Sequence, residues 1–552
     1  MKVELFGIKN LPHRTISKWT LFACFNLLSM NTIAQNPGEW TWVHGDSSLN
    51  YSGNYGTMGV PSPTNKPPGI YEGAEWTDNL GNFWLYGGES VTGWGDNLWK
   101  YNVTTNMWTW IKGSGNVFNK KPKYGQQGIP DSANSPGARV TSQTWRDNNG
   151  DLWLFGGISY FAFGIGEAYN DLWKYEISTN KWTWMNGDPV PNGVANYGIK
   201  GVESSSNKPP SSKESNLTWT DNQNNLWLLD LKGCLWKYKI STNNWIWMKG
   251  DTTGVPSFGQ KGIPNMNNSP GNTFFSFTRW MDSNDNLWLL YSGLDLYYTT
   301  LFKYQINTNM WTWISGDTII NNSIPDYGNA LCDYDKTLVP YRRGEARACW
   351  IDHCDNLWLM GGYGCDNSGC DGLNDLIYFD TQAFKWIRAG NDTTFNSPSI
   401  YGTIGNSSPL NKPSARTGAL PFKDLDGNLW FFGGAKHNTQ QFFGDLWKYQ
   451  MDAGCPLCVN PYAGITENET PTNDISVFPN PFNQQTTIQI NDHLENATLF
   501  VYNSCGQKIK ELNNISGQSF TFSRDNFSQG FYFLQLIQKN VSYTSKILIT
   551  ED

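Results

Sequence analysis

The sequence predicts an all-β protein: a six-bladed β-propeller followed by a small Ig-like β-sandwich. A tryptophan-rich unit recurs six times between about residues 38 and 453, and internal repetition of this kind is typical of ring and solenoid folds. Aromatic residues make up 15% of the 552-residue chain and glycine occurs 55 times, which favours short strands joined by tight turns. Residues 474–552 add a separate group of short apolar strands.

Each repeat contains four predicted strands, and the third of them shows the pattern clearly. In the segment LWKYEI, Trp173, Tyr175 and Ile177 point to one face, whereas Leu172 and Lys174 point to the other. This period of two is that of a β-strand. One such sheet cannot bury its aromatic faces alone, so we expect the six sheets to pack side by side around an axis.

The two ends of the repeat region complement each other. The sixth copy stops at Met451 and Asp452 without a fourth strand, and a matching strand at residues 39–43, containing Trp40 and Trp42, stands alone near the N-terminus. We predict that this N-terminal strand completes the last blade and closes the ring, because closure removes open sheet edges. The propeller would then occupy residues 35–453.

Residues 1–34 have the features of a secretory signal peptide. An apolar run from Trp19 to Met30 follows a basic segment, and cleavage is predicted between Ala34 and Gln35. The run is too short to anchor the chain in a membrane, and we expect no transmembrane segment in the mature chain. Removal of these residues, whose net charge is +3, changes the formal charge from −8 to −11. An acidic surface disfavours nucleic acid as a partner.

The C-terminal region begins with a predicted linker at residues 454–473, and residues 474–552 form the small second domain. Its sequence contains a Pro-Asn-Pro motif, a Gly-x-Tyr strand start and a terminal lysine-led apolar run. These elements are Pro479, Asn480, Pro481, Gly530, Tyr532 and Lys546. Together they resemble the type A C-terminal sorting domain of the type IX secretion system. The resemblance implies contact with the type IX machinery and a location at the surface of a Gram-negative cell or outside it.

The repeat itself resembles a known family. Glycine pairs follow the apolar second strand in four copies, as at Gly156 and Gly157, and six residues separate a third-strand aromatic from a fourth-strand tryptophan, as at Tyr175 and Trp182. These features resemble kelch repeats of the galactose oxidase-like propeller superfamily. The third and fourth copies lack the glycine pair.

Two sets of long loops are predicted to share one face of the propeller: those between the second and third strands, and insertions around a Tyr/Phe-Gly pair after the fourth strand. Loops on a rigid scaffold often carry binding, so this face is predicted to engage a glycan or a protein. The candidate ligand-binding residues are loop aromatics: Trp94, Tyr160, Phe161, Phe163, Tyr297, Tyr298, Phe442 and Phe443. The alternative is that these aromatics pack the long loops against one another.

No catalytic residue is predicted, and the leading hypothesis is a non-enzymatic binding protein. The alternative is a glycan-active enzyme at the mouth of the central channel. Arg139, Arg347 and Arg416 precede three first strands and could form an arginine triad there, or they could tie adjacent blades together. Clustered carboxylates or arginines at the mouth would favour the enzyme.

No metal or cofactor is predicted, although calcium remains possible. Copper oxidases of the resembled superfamily need two histidines and tyrosines, and the propeller histidines, His44, His353 and His437, do not fit because the first two are expected on opposite faces. The segment from Asp424 to Asn428 looks like half a calcium loop but occupies a hairpin-turn position. A second acidic group lies in the cysteine-rich loop of the fifth copy: Asp366, Asp371 and Asp375.

Nine cysteines remain after residue 34, and five of them lie between Cys332 and Cys370. Local disulfides are expected in an exported protein. A zinc site would require a second matched pair of ligands.

Overall fold

The structure is a computed structural model that describes residues 36–159, 166–213, 217–273, 278–291, 299–316, 340–366, 369–452, 475–503, 508–538 and 541–550. All regular secondary structure in these ranges is β-strand, which confirms the all-β prediction. No helix in these ranges is long and apolar enough to cross a membrane.

Six four-stranded antiparallel sheets follow one another along the chain. Strand β1 (Trp40–Asp46) precedes them. Sheet 1 and its small ribbon comprise β2 (Ala74–Thr77), β3 (Phe83–Tyr86), β4 (Glu89–Ser90), β5 (Gly93–Trp94), β6 (Leu98–Asn102) and β7 (Met107–Lys112), with β4 and β5 forming the ribbon. Sheet 2 comprises β8 (Gln143–Arg146), β9 (Leu152–Ser159), β10 (Glu167–Glu176) and β11 (Lys181–Asn186). Sheet 3 comprises β12 (Thr218–Thr220), β13 (Asn225–Leu229), β14 (Leu235–Lys239) and β15 (Asn244–Lys249).

Sheet 4 comprises β16 (Arg279–Met281), β17 (Asn286–Tyr291), β18 (Thr300–Gln305) and β19 (Met310–Gly316). The next strands are β20 (Arg342–Gly344), β21 (Cys349–Ile351), β22 (Leu357–Met360), β23 (Tyr363–Asp366), β24 (Gly369–Gly372), β25 (Leu376–Asp380) and β26 (Lys385–Gly390). Of these, β21, β22, β25 and β26 form sheet 5, and the other three form a small accessory sheet. Sheet 6 comprises β27 (Leu420–Lys423), β28 (Leu429–Phe432) and β29 (Gly444–Tyr449), together with β1.

The hydrophobic cores lie between neighbouring sheets. Trp173 and Tyr175 of sheet 2 pack with Trp76 and Trp84 of sheet 1. Equivalent clusters join sheet 2 to 3, 3 to 4, 4 to 5, 5 to 6, and 6 back to 1. The six sheets therefore form a closed ring, and each second strand is buried because sheets cover both of its faces.

The first strand of each sheet is the inner strand of the ring, and in five of the six sheets its tryptophan donates a hydrogen bond to the next sheet. The indole Nε1 of Trp145 donates to the Trp227 carbonyl oxygen at 2.8 Å. Four other inner strands repeat this contact, through Trp76, Trp219, Trp280 and Trp350. Sheet 6 has Phe422 at this position, and its ring stacks on Phe83 of sheet 1 with centroids 4.7 Å apart.

The turn after each inner strand is built around an aspartate. One carboxylate oxygen of Asp282 accepts the backbone N–H groups of Asn284 and Asn286 at 3.0 and 2.9 Å, and the other accepts Trp288 Nε1 at 2.8 Å. The same aspartate-to-indole bond recurs in the other five sheets at Asp78, Asp147, Asp221, Asp352 and Asp424. This pairing satisfies a buried carboxylate and fixes the second-strand tryptophan.

Strand β1 is the outer strand of sheet 6. It pairs antiparallel with β29, with Trp40 opposite Tyr449 and Trp42 opposite Trp447. Trp40 is 3% exposed and packs against rings from sheets 5 and 6. The strand predicted at residues 39–43 thus joins the two ends of the ring.

The Tyr/Phe-Gly insertions are expected to lie as loops on one face of the ring, but they instead pair with the outer strands of the sheets. In the insertion before sheet 2, the Gly128 N–H donates to the Trp184 carbonyl oxygen at 2.8 Å, and Asn134 Nδ2 donates to the Trp182 carbonyl oxygen at 3.0 Å. The same asparagine contact occurs for sheets 1, 3, 4 and 6, through Asn65, Asn207, Asn268 and Asn411. The insertions pair with the outer strands and cover edges that would otherwise expose unpaired backbone groups.

The cysteine-rich loop contains one disulfide between described residues, which joins Cys365 to Cys370. Cys354 is also disulfide-bonded, whereas Cys349 is a buried free thiol. Local disulfides are therefore confirmed at Cys365 and Cys370, and Cys349 takes no part in one.

The C-terminal sheet comprises β30 (Ile475–Phe478), β31 (Gln485–Tyr502), β32 (Lys508–Ser523), β33 (Gly530–Gln538) and β34 (Val541–Ile549). The Pro-Asn-Pro motif binds the last strand. Asn480 Nδ2 donates to the Lys546 carbonyl oxygen at 2.7 Å, and Asn480 Oδ1 accepts the Leu548 N–H at 2.8 Å. Tyr532 lies in the core, and its hydroxyl donates to the Ser528 carbonyl oxygen at 2.9 Å.

Replacing Trp40 with alanine should destabilise the ring by about 3–5 kcal/mol, because the change leaves a large cavity at the junction of the two chain ends. The midpoint of denaturant unfolding in the full chain measures this effect. Trp94→Ala is the matched control, since Trp94 is half-buried in the β4–β5 ribbon, and it should cost about 1 kcal/mol or less. Equal effects of the two variants would contradict this view of the junction.

Asn480→Ala should loosen β34, because it removes two hydrogen bonds that are together worth about 1–3 kcal/mol. Hydrogen exchange in a peptide covering residues 541–550 should become faster. Asn513→Ala is the control, because among the described residues the Asn513 amide bonds only to the Thr498 and Glu511 side chains. Unchanged exchange in Asn480→Ala would show that the motif does not hold the last strand.

Candidate functional site

The inner strands of all six sheets surround a cavity of about 400 Å³ at the ring axis. Each strand contributes its aromatic residue and the residue on either side. The residues before the aromatic are Glu75, Thr144, Thr218, Arg279, Cys349 and Pro421, and those after it are Thr77, Arg146, Thr220, Met281, Ile351 and Lys423. The second group precedes the tight hairpin turns, so the cavity mouth lies on the face of the ring that carries those turns, here named the short-turn face.

A buried charge cluster lies at the inner end of this cavity. The Glu75 carboxylate accepts a hydrogen bond from Arg347 Nη2 and lies 3.6 Å from Arg279 Nη2. Arg347 Nη2 also donates to the Gly73 carbonyl oxygen at 2.9 Å, and the Arg347 side chain is fully buried. Two guanidinium groups thus face one carboxylate, which leaves the cluster with an excess positive charge.

Two further cations, Arg146 and Lys423, stand exposed at the mouth. Arg146 donates to Asn79 Oδ1, and Lys423 Nζ donates to the Ile351 carbonyl oxygen at 2.9 Å. A guanidinium carries five N–H donors and an ammonium three, so both can bind an acceptor on a ligand as well. Met281 and Ile351 form an apolar part of the same wall.

The other end of the channel, toward the long loops, has a second polar cluster. The Tyr71 hydroxyl donates to Glu345 Oε2 at 2.8 Å, and burial, together with the Glu72 and Glu345 carboxylates, raises the pKa of Tyr71 well above its usual value. A Cβ at Gly418 would lie 2.3 Å from the Tyr71 ring, so this position must be glycine. Glu72 is itself 4% exposed.

The predicted arginine triad does not form. The side chains of Arg139 and Arg416 are fully buried within their own sheets, where they pair with Asp171 and Asp445 at 2.9 and 2.6 Å. Of these three arginines, only Arg347 lies beside the cavity, where it bonds to Glu75. Arg347 also precedes a first strand, but Arg343 is the structural equivalent of Arg139 and Arg416 and pairs with Asp375 at 2.7 Å.

The backbone of Arg139 and Arg416, rather than their side chains, connects adjacent sheets, which was the alternative role predicted for these arginines. The carbonyl oxygen of Arg139 accepts the Gly88 N–H of sheet 1 at 3.0 Å, and that of Arg416 accepts the Gly362 N–H of the fifth repeat at 2.9 Å. Their side chains instead bond to their own glycine pairs, through the carbonyl oxygens of Gly156 and Gly433.

The candidate aromatics do not form one exposed surface in the described part of the chain. Phe442 and Phe443 are 3% and 7% exposed, and the Phe443 ring lies 4.0 Å from the Arg416 guanidinium. The expectation that these two face solvent is wrong, because Phe443 packs against the buried arginine and the Phe442 ring lies 6.5 Å from that of Tyr71. Trp94 is half-buried, and its role in binding stays a prediction. Tyr160, Phe161, Phe163, Tyr297 and Tyr298 lie outside the described residues.

The histidines do not fit a copper site. His44 is buried in β1, where its Nδ1 accepts the Gly45 N–H at 2.7 Å. His353 lies in the exposed turn between β21 and β22, and the His437 ring stacks on Tyr363 with centroids 4.5 Å apart. Among the described residues, no group of three or more histidine, cysteine or acidic side chains could hold a metal ion.

The carboxylates considered as calcium ligands already accept hydrogen bonds or form ion pairs within the protein. Both oxygens of Asp424 accept hydrogen bonds within its turn, from Asp426 N–H, Asn428 and Trp430 Nε1. In the second candidate group, Asp375 is held by Arg343 and Asp371 accepts Asn396 Nδ2 at 2.5 Å. The Asp366 side chain lies outside the described part of the chain. Asp424 therefore stabilises a turn, and Asp375 a buried ion pair.

Burial lowers the pKa of His44 to about 4, and Lys66 adds to the effect. The folded state favours the neutral form of His44. The stabilisation of the folded state by neutral His44 is therefore complete above about pH 6.5 and is lost as the pH falls toward 4, which lowers the free energy of unfolding by up to about 3 kcal/mol. His44→Asn should reduce this acid sensitivity, since Asn186 makes the same backbone contact in sheet 2. Unfolding midpoints at pH 7.5 and 4.5 compare the two proteins, and identical pH dependence would rule out this role.

Residues 476–550 match the family described as Secretion system C-terminal sorting domain. The chain thus carries a sorting domain, which indicates export by the type IX system to the cell surface or beyond. The Pro-Asn-Pro motif, the Gly-x-Tyr strand start and the lysine-led terminal run all fall within the matched region.

No curated protein matches the chain. A solved structure of YjhT is 13% identical, with a TM-score of 0.39, and the match covers 71% of this chain and 95% of that one. A copper-bound structure of a fungal alcohol oxidase of the AA5 family is also 13% identical, with a TM-score of 0.37, covering 90% of this chain and 100% of that one. Similarities at this level support no inference about activity.

Proposed function

We propose that the ring is a six-bladed β-propeller of kelch type, followed by an Ig-like sorting domain, and that the exported protein binds a glycan without modifying it. The axial cavity on the short-turn face is the proposed binding site. The observation that supports this site most strongly is its lining, to which all six inner strands contribute. A volume of about 400 Å³ lies within the usual range for pockets that hold small ligands.

The charges of the cavity favour a ligand that carries a carboxylate. Arg146, Arg279 and Lys423 supply three cations to the lining, and Glu75 is the one carboxylate among its described residues. The turn aspartates near the mouth, Asp78, Asp147, Asp352 and Asp424, are occupied by the indole N–H groups of their own sheets. Glu75 is bound by Arg347 and so does not compete for the cations at the mouth. Arginine pairs strongly with carboxylates through two parallel hydrogen bonds, and the apolar side chains of Met281 and Ile351 suit the C–H face of a sugar ring. A uronic acid unit has both features.

The arginines that meet at this cavity are the feature that we expect to favour an enzyme, but the carboxylates of the lining argue for binding over hydrolysis at this site. Glycoside hydrolysis ordinarily requires two carboxyl groups on either side of the scissile bond. A single glutamate held by two arginines cannot supply both an acid and a base.

A second candidate function, a glycan-active enzyme, is favoured by the cluster at the loop end of the channel. There the Tyr71 phenol is hydrogen-bonded to Glu345 and close enough to Glu72 for that carboxylate to raise its pKa. Two carboxylates around one hydroxyl could accept or donate a proton in general acid–base catalysis. If this function is correct, the full chain should release reducing ends from a uronate-containing polysaccharide, and Glu345→Gln should abolish the release.

Isothermal titration of the mature chain with glucuronate oligosaccharides tests the binding proposal. The acidic oligosaccharides should bind, and neutral glucose oligosaccharides of equal length should bind at least about tenfold more weakly. Arg146→Gln should weaken binding by about 10–100-fold, because a charge-assisted hydrogen bond contributes about 1.5–3 kcal/mol.

Arg388→Gln is the matched control for Arg146→Gln. Arg388 lies half-buried in the outer strand β26 and does not line the cavity, so its loss should leave the affinity unchanged. Failure of the acidic ligands to bind, or equal affinities for the Arg146→Gln variant and the wild-type chain, would refute the proposed site.

A further inference from the structure

The C-terminal sheet has aromatic side chains on its solvent-facing side. Phe531 and Phe533 in β33 are 49% and 45% exposed, whereas Tyr532 between them is 8% exposed. In the antiparallel register, Phe533 lies opposite Tyr502 of β31 on one side and Lys546 of β34 on the other. Alternate residues of β33 thus place two phenyl rings on the outer face, beside a tyrosine and a lysine.

Two lysines lie over the aromatic rings of this face, and one of them, Lys508, is paired with Glu511 at 2.8 Å. Lys546 Nζ lies 4.0 Å from the centroid of the Phe531 ring, and Lys508 Nζ lies 5.2 Å from that of Phe500. Contacts of this kind are attractive, so they hold the ammonium groups over the rings. The resulting surface presents apolar rings with positive charge beside them.

The fold does not require these exposed rings. The core of the C-terminal sheet lies on its opposite side and contains Val501, Leu534, Leu536 and Ile547, all at most 1% exposed. Neighbouring large apolar side chains in solvent are characteristic of interaction sites, and aromatic residues are enriched where protein partners bind tightly.

We propose that this face, formed by Phe500, Tyr502, Phe531, Phe533 and Lys546, docks on an apolar protein surface of the secretion machinery that also carries carboxylates. The match of residues 476–550 to a sorting domain provides the reason for a partner here, because the machinery must recognise this domain. Lys546 provides the charge complementarity, because its ammonium group favours an acidic partner, whereas Lys508 is paired with Glu511. This inference is independent of what the cavity of the ring binds.

Export of the full chain from a bacterium that has the type IX system tests this proposal. The double variant Phe531→Ser, Phe533→Ser should reach the surface or the medium at about one tenth of the wild-type level or less, since a loss of about 1.4 kcal/mol in docking is tenfold in affinity. The remainder should accumulate in the periplasm. Phe384→Ser is the matched control, because Phe384 is 61% exposed in the turn between β25 and β26 of the ring, and its export should not change. Wild-type export of the double variant would overturn the proposal.

Two further measurements separate docking from folding. Lys546→Glu should also reduce export about tenfold, whereas Lys546→Arg should not, and all variants should keep the wild-type thermal transition. If the double variant loses that transition, the comparison of Lys546→Glu with Lys546→Arg tests the proposal instead. Normal export of Lys546→Glu would then contradict docking by this face. A photo-crosslinking amino acid at position 533 of the full chain should form an adduct with a machinery component whose deletion blocks export. An adduct with the ring of the same chain, or only with a second copy, would contradict the proposed partner.

Discussion

The ring depends on the hydrogen bond that each inner-strand tryptophan donates to the neighbouring sheet. A four-stranded sheet with two aromatic faces has no stable existence alone, and the bond from Trp145 Nε1 to the Trp227 carbonyl oxygen fixes the angle and distance at which the next sheet packs. Five of the six junctions use this bond, and the sixth replaces it with the stacked rings of Phe422 and Phe83. Because indole N–H groups are satisfied there, the aromatic cores can be buried without loss of a polar contact.

The same inner strands create the candidate site. A tryptophan in five of these strands, and Phe422 in the sixth, occupies the position that packing between sheets requires, whereas the residues before and after it face the axis and differ from strand to strand. Glu75, Arg146 and Arg279 occupy these flanking positions and give the cavity its charge. In the proposed function, packing and ligand binding belong to different residues of the same short strand, so a substitution at a flanking position should alter binding without disturbing the packing between the sheets.

The sequence predicts the repeated features well, because they follow from local patterns. The alternation of apolar and polar residues predicts the strands, and the unmatched strand that contains Trp40 and Trp42 predicts the pairing of β1 with β29. The features that it misses depend on contacts between distant segments. The insertions pair with outer strands of the following sheet, Phe443 is buried against Arg416, and the channel charges come from different repeats that meet only when the ring closes. Arg343 replaces Arg347 as the buried arginine of its sheet because the lead-in to sheet 5 has a different length. The signal that could have identified the cavity residues is their position beside a repeated aromatic.

The sorting domain in residues 476–550 indicates export, and we propose that the ring carries the binding. The central claim is that the axial cavity of the ring is the binding site. A crystal structure of the mature chain with a glucuronate disaccharide tests it most directly. We predict electron density for the sugar at the axis on the short-turn face, with its carboxylate on Arg146 or Arg279. An empty axial cavity, with the sugar bound on the long loops or on the outer rim, would contradict the claim.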